Sequence, residues 1–75
     1  MADRRIKLTY PHDLVDQPII HQIIQRFGLQ TNIRRADVND AGGWLIVDVR
    51  GQEQAIDQAV EWVRNQGIEV EEIQR

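Results

Sequence analysis

The order in which the hydrophobic periodicity of this chain changes constrains its fold more than any other feature. Between residues 4 and 74, apolar residues either alternate as in a half-buried strand or recur at helical spacing. The order is strand, helix, strand, strand, helix, strand. The 75 residues are too few for two separate cores, so we expect one domain over residues 1–75, with its core at about residues 4–74.

This order of elements predicts the fold class. With right-handed crossovers it gives an α+β, ferredoxin-like βαββαβ sandwich, in which a four-stranded antiparallel sheet in the order 4-1-3-2 carries both helices on one face. Strand alternation assigns to the helix-covered face Ile6, Leu8, Leu45, Val47 and Val49. It assigns to the opposite face, called here the open face, Lys7, Thr9, Trp44, Ile46 and Asp48.

Local signals predict where the helices begin and end. Asp16 is a residue type that caps helices, and Pro18 suits the first turn that would follow it. Gly28 and Gly67 stand where a left-handed residue commonly ends a helix. The parity of the last strand stays open at this stage.

The second predicted strand, residues 30–38, has a break in its alternation. Ile33 is an odd position, whereas Ala36 and Val38 are even, so a regular strand would send these apolar side chains to opposite faces. A β-bulge near Arg34-Arg35 would return them to one face, with Ile33 in the core. Residues 39–43 are expected to form the hairpin loop that follows.

Composition excludes several classes of function. The chain has no cysteine, so it can form neither disulfides nor thiolate clusters, and we expect no cofactor and a reducing, cytoplasmic location. No apolar run is long enough to insert into a membrane. The net charge of −3 is opposite to that of a typical nucleic-acid binder, and the predicted open face holds a single aromatic residue for base stacking.

Catalytic and metal-binding side chains are scarce. His12 and His21 are the only histidines and lack the additional ligands that a zinc site requires. The chain has no serine, and Glu71 and Glu72 are neighbours that point to opposite sides of a strand. We therefore expect neither a metal site nor an enzyme.

Trp44 and Ile46 make the predicted open face more apolar than a fully solvated surface. A small monomer seldom exposes a large apolar patch, which favours an interface formed by these two residues in a self-associating sheet. The alternative is an ordinary open surface, because isolated exposed apolar residues are normal.

The chain resembles the NIL domain family, which is named for an Asn-Ile-Leu triplet in its second strand. The resemblance covers about residues 4–73 and is carried by Ile6-Lys7-Leu8-Thr9-Tyr10-Pro11, Pro18-Ile19-Ile20, Phe27-Gly28, Asn32-Ile33, Ala36, Gly43, Gly51 and Gly67-Ile68-Glu69-Val70-Glu71. Here the triplet reads Asn-Ile-Arg. The family is ferredoxin-like, related in architecture to ACT regulatory domains, and is best known at the C-terminus of the ATPase subunit of bacterial methionine importers.

The resemblance implies a ligand site near the second strand and a subunit interface, in a regulatory domain that dimerises and binds methionine. On this sequence the expected ligand-binding residues are Asn32, Ile33 and Arg34, with Asn32 and Arg34 as the polar contacts and with Tyr10 and Pro11 nearby as a wall. An arginine in the triplet is suited to holding a carboxylate through two hydrogen bonds.

Two functions remain open on the sequence alone. The first is a stand-alone regulatory domain, a homodimer or higher oligomer, that senses a small metabolite such as an amino acid. The alternative is an adaptor that binds a protein partner, a transporter or a redox enzyme, and has no small-molecule ligand of its own.

Overall fold

A computed structural model describes residues 1–73 of the chain; residue 74, where the expected core ends, lies outside them. The elements follow the predicted order. They are β1 Ala2–Pro11, a 3-10 turn His12–Leu14, α1 Ile19–Phe27, β2 Gln30–Asn39, β3 Gly42–Gly51, α2 Glu53–Asn65 and β4 Glu69–Ile73.

The four strands form one antiparallel sheet in the order β2-β3-β1-β4. This is the predicted order 4-1-3-2 viewed from the other side, and the ferredoxin-like fold class is confirmed. β3 and β1 lie in the centre, whereas β2 and β4 form the two edges of the sheet.

The hydrophobic core lies between the sheet and the two helices. The five residues assigned to the helix-covered face are all buried, and α1 and α2 contribute Ile19, Ile23, Ile56, Ala59 and Val63. β4, whose parity was open, turns Val70 toward the helices opposite Leu8 and Ile73 toward the open face opposite Arg5. The alternation of the central strands was therefore sufficient to define the core.

The helix ends agree with the glycine signals but not with the predicted cap. Gly28 has φ 67° and donates its backbone N–H to the Ile24 carbonyl at 3.0 Å, and Gly67 has φ 96° after α2. The prediction that Asp16 caps α1 is wrong, because the helix begins at Ile19 and its N-cap is Pro18, with no side-chain cap. Asp16 lies too early in the chain to occupy the capping position.

The hairpin between β2 and β3 is tighter than the loop predicted at residues 39–43. Asn39 still pairs with Gly42, so only Asp40 and Ala41 connect the strands. The Asn39 side-chain oxygen accepts a hydrogen bond from the Ala41 backbone N–H at 2.8 Å. This local bond replaces strand pairing at the tip and allows the shorter connection.

The predicted β-bulge is confirmed, but the predicted burial of Ile33 is not. Ile33 pairs with Val47 and Arg35 with Ile46, which leaves Arg34 as the extra residue. Ile33 shares the helix-covered side with Val47, yet it is 51% exposed, and no residue of β2 is buried. The expectation of a core position was wrong because β2 is an edge strand, and the helices leave most of its side chains exposed.

Within residues 1–73, neither helix combines the length and the apolar character that crossing a bilayer requires.

Candidate functional site

The open face of the sheet carries charged and polar side chains in two rows that cross three strands. The strand registers place opposite one another first Arg5, Asp48 and Asn32, and then Asp3, Arg50 and Gln30. Cross-strand neighbours of this kind lie about 4.5–5.5 Å apart at their Cβ atoms. In each row the residues of β1 and β3 have opposite charges and β2 adds a neutral amide, at the end of the sheet where β1 begins.

Asp48 is the centre of this arrangement. The Arg5 Nε donates a hydrogen bond to Oδ1 of Asp48 at 2.7 Å, and Arg5 Nη2 donates to Oδ2 at 3.2 Å. The Asp48 side chain is only 12% exposed. The hydrogen bond from Arg5 to Asp48 raises the pKa of the guanidinium above its ordinary value.

Arg34, the extra residue of the bulge, lies near the same carboxylate. Arg34 Nε lies 3.9 Å from Oδ2 of Asp48, a distance for attraction between charges but too long for a hydrogen bond. Arg34 follows Ile33 in β2, so the alternation that sends Ile33 to the helix-covered face leaves Arg34 on the open face. The bulge breaks this alternation only at the next residue, where Arg35 pairs with Ile46. Arg34 is therefore a third charged group beside Arg5 and Asp48.

A cavity of about 300 Å³ lies over these residues, at the small end of the size range of ligand pockets. We call it the Asn32 pocket. It is lined by Asp3, Gln30, Thr31, Asn32, Arg34, Asp48 and Arg50. Its walls come from β1, β2 and β3, and the side facing away from β3 is the unpaired edge of β2.

A larger cavity, of about 620 Å³, lies at the other edge of the sheet, along β4. It is lined by Lys7, Thr9, Arg64, Gly67, Ile68, Glu69, Val70 and Glu71. Arg64 already donates a hydrogen bond to the Val70 carbonyl there, and Glu69 and Glu71 are exposed. We regard the Asn32 pocket as the better candidate despite its smaller volume, because it contains a carboxylate that is mostly buried and several converging donors.

The structure brings together only part of the predicted ligand site. Asn32 and Arg34 both line the Asn32 pocket, whereas the Ile33 side chain lies on the opposite side of the sheet. Tyr10 and Pro11 do not lie near Asn32, so they do not form the expected wall of this pocket. Tyr10 is buried in the core, and the strand registers put Tyr10 about 17 Å and Pro11 about 20 Å along the sheet from Asn32.

Sequence reasoning missed most of the lining. Asp48 was assigned to the open face but not to the site, and Asp3, Gln30, Thr31 and Arg50 were not considered. The pairing of Asn32 with Asp48 would have indicated that Asp48 lines the site. That pairing depends on the exact position of the bulge, which the sequence does not fix. Gln30 and Thr31 precede the triplet, where the family pattern gives no signal for polar side chains.

Trp44 and Ile46 lie on the open face, as the alternation predicted, and both are half-buried. The ammonium group of Lys7 lies 5.2 Å from the centre of the Trp44 ring, within cation–π distance. Neighbouring side chains therefore cover part of this apolar surface. An interface formed by Trp44 and Ile46 stays a prediction.

Among residues 1–73, histidine and carboxylate side chains nowhere form a group of three or more that could hold a metal ion.

Comparison with known proteins places the fold in a family context. The pattern of the NIL domain matches residues 4–72. Methionine import ATP-binding protein MetN 2 of Bacillus licheniformis is 31% identical over 96% of this chain, and MetN of Ralstonia nicotianae is 35% identical over 95%. The chain spans about a fifth of these relatives, 22% and 21% of their length.

A solved structure shows the same architecture. The crystal structure of the C-terminal domain of an ABC transporter/ATP-binding protein from Enterococcus faecalis superposes with a TM-score of 0.84 and 26% identity, covering 93% of this chain and 82% of that one. Sequence pattern and architecture agree over nearly every described residue, and we conclude that this chain belongs to the NIL domain family.

Proposed function

We propose that this NIL domain is a regulatory module that binds a small metabolite of the amino-acid class in the Asn32 pocket, next to a subunit interface. The observation that carries the proposal is that Asn32 and Arg34 of β2 lie together with Asp48 of β3 around one cavity. An amino acid carries a carboxylate and an ammonium group, and this cavity offers guanidinium donors and carboxylate acceptors for both.

The names of the relatives support an amino acid as the ligand class. Both MetN proteins are named for methionine import and ATP binding, and this chain corresponds to about a fifth of their length. Methionine is thus the first ligand to test. A domain of this size would control a larger ATP-binding partner by binding its ligand, in the cytoplasm where ATP-driven importers have their nucleotide-binding parts.

The open edge of β2 supports the subunit interface. Ile33 and Val38 are 51% and 46% exposed on one side of that strand, and its outer backbone groups have no strand partner within the described residues. Unpaired strand edges with apolar side chains commonly pair with a second chain. A homodimer formed along β2 would border the Asn32 pocket.

The same exposed residues favour a second candidate function, the protein-interaction adaptor. In that case a transporter or redox enzyme would occupy β2 and the Trp44 surface, and the pocket would bind no metabolite. Capture of the partner would then depend on Trp44 or Ile33 and be indifferent to Asn32→Ala.

A thermal-shift screen against the amino acids tests the proposal. A ligand at 100 times its dissociation constant stabilises by about 2.7 kcal/mol, which raises the midpoint of a domain this small by about 10 °C or more. We expect at least one amino acid to give such a shift. A flat screen at millimolar concentrations would contradict ligand binding and favour the adaptor.

Two adjacent arginines provide a matched pair of variants for the same assay. Arg34→Ala should weaken binding by about tenfold to a hundredfold, the contribution of a hydrogen bond to a charged group. Arg35→Ala removes the same charge from the next exposed residue, which does not line the pocket, and should leave affinity unchanged. Equal effects of the two changes would mean that net charge, not the pocket, controls binding.

A further inference from the structure

The two arginines of the Asn32 pocket have unused hydrogen-bonding capacity, whereas the nearby carboxylate is already engaged. Both oxygens of Asp48 accept hydrogen bonds from Arg5. Arg34 approaches Asp48 no closer than 3.9 Å, and within residues 1–73 no hydrogen bond or ion pair engages the Arg50 guanidinium. A guanidinium has five N–H donors in a planar fork that matches a carboxylate.

Charge and polarity of the lining also restrict the ligand. Together with Arg5, which is hydrogen-bonded to Asp48, the lining residues supply three guanidinium groups and two carboxylates, those of Asp48 and Asp3. The lining holds no apolar side chain, since it consists only of charged residues, amides and a threonine. An apolar ligand side chain would contact no apolar surface in this pocket and would therefore gain nothing by leaving water. A second negatively charged group on the ligand would instead meet an arginine.

From these two observations we infer that the Asn32 pocket recognises an acidic amino acid, a ligand with two carboxylates and one ammonium group. Arg34 holds one carboxylate and Arg50 the other. The ammonium group donates to the side-chain oxygen of Asn32. This inference rests on the proposed function and specifies its ligand. The ligand is an amino acid whose side chain is negatively charged, where that of methionine is apolar.

Titration calorimetry with matched ligands tests the inference. Glutamate and aspartate differ from glutamine and asparagine only by a carboxylate in place of an amide, so each pair isolates the second negative charge. At pH 7 and low ionic strength we expect one of the two acids to bind about tenfold or more tightly than its amide and than methionine. Raising the salt concentration should reduce this preference, because the pocket is open to solvent.

Variants assign the second carboxylate to its arginine. Arg50→Gln should lower the affinity for the acid about tenfold while leaving that for the amide unchanged, so that the preference disappears. Arg35→Gln is the matched control, because it removes an exposed arginine outside the pocket and should preserve the preference. Circular dichroism of each variant establishes that the fold is retained.

The possible outcomes separate the inference from the function on which it rests. Equal affinity for acid and amide, or tighter binding of methionine, would overturn the acidic ligand and leave amino-acid binding intact. Binding of glutarate as tight as that of glutamate would overturn the role assigned to the ammonium group. Absence of binding by every amino acid, with the fold retained, would overturn the proposed function itself.

Discussion

Tyr10 is the only tyrosine of the chain, and its side chain lies in the core near the end of β1. Burial raises the pKa of its phenol from 10.0 to about 12, because the apolar surroundings disfavour the phenolate. Below pH 10 the phenol is neutral in both the folded and the unfolded chain. Between about pH 10 and 12 the unfolded chain loses this proton first, so the stability that the phenol contributes is lost as the pH rises.

We therefore expect Tyr10→Phe to remove an alkaline loss of stability. From pH 9 to 12 the native protein should lose about 2–3 kcal/mol more of its unfolding free energy than the variant does. Urea denaturation at several pH values measures this difference, and absorbance of the phenolate near 295 nm reports Tyr10 alone. At pH 8 the unfolding free energies of the two proteins should agree closely. If both proteins lose the same unfolding free energy up to pH 12, the phenol is not shielded from solvent.

Asp48 shows how one residue can serve both the fold and the site. Its two hydrogen bonds to Arg5 join the central strands β1 and β3, and its charge also holds Arg34 on the open face. The Asp48 carboxylate is therefore held in place before any ligand arrives. Such preorganisation lowers the entropic cost of binding.

Among the elements, helix α1 shows most clearly how apolar spacing determines packing. Ile23 is 1% exposed and Ile24, the next residue, is 39% exposed, so the helix turns one isoleucine into the core and the other toward solvent. A domain of 75 residues has a total stability of about 4–11 kcal/mol. A single buried side chain on this helix is consequently a large fraction of that total.

These adjacent isoleucines make a matched prediction. Ile23→Ala should lower the free energy of unfolding by about 2–5 kcal/mol, through lost burial and the cavity left behind. Ile24→Ala removes the same atoms from a largely exposed position and should cost less than about 1 kcal/mol. Urea denaturation at pH 7 measures both. Similar costs would mean that Ile24 is covered in solution, by a second subunit or another partner.

For the molecule as a whole, the uneven coverage of the sheet is the main consequence of the fold. The two helices bury the central strands, while the helix-covered side of β2 exposes Ile33 and Val38. The sheet can complete this edge by pairing with a second copy of itself. Lysine on an edge strand opposes such pairing, because it places a charge where the second strand would lie.

We expect the native chain to sediment as a dimer and Ile33→Lys to sediment as a monomer at the same concentration. Thr9→Lys, which adds the same charge at an exposed position on β1, is the control and should remain dimeric. Analytical ultracentrifugation distinguishes these states. If Trp44→Ala dissociates the dimer and Ile33→Lys does not, the interface lies on the open face, where the sequence predicted it.

The sequence by itself determined the order of the elements, the order of the strands and the bulge at Arg34. These follow from local periodicity, which specifies the side of the sheet that each residue faces, and from the few topologies that a right-handed crossover permits. The tertiary structure alone decided that Ile33 is exposed and that Tyr10 and Pro11 lie far from Asn32. It also decided that Asp3, Asp48 and Arg50 complete the pocket. The reason is that periodicity indicates a face, whereas burial and proximity depend on which strands the helices cover and on a register that one extra residue shifts.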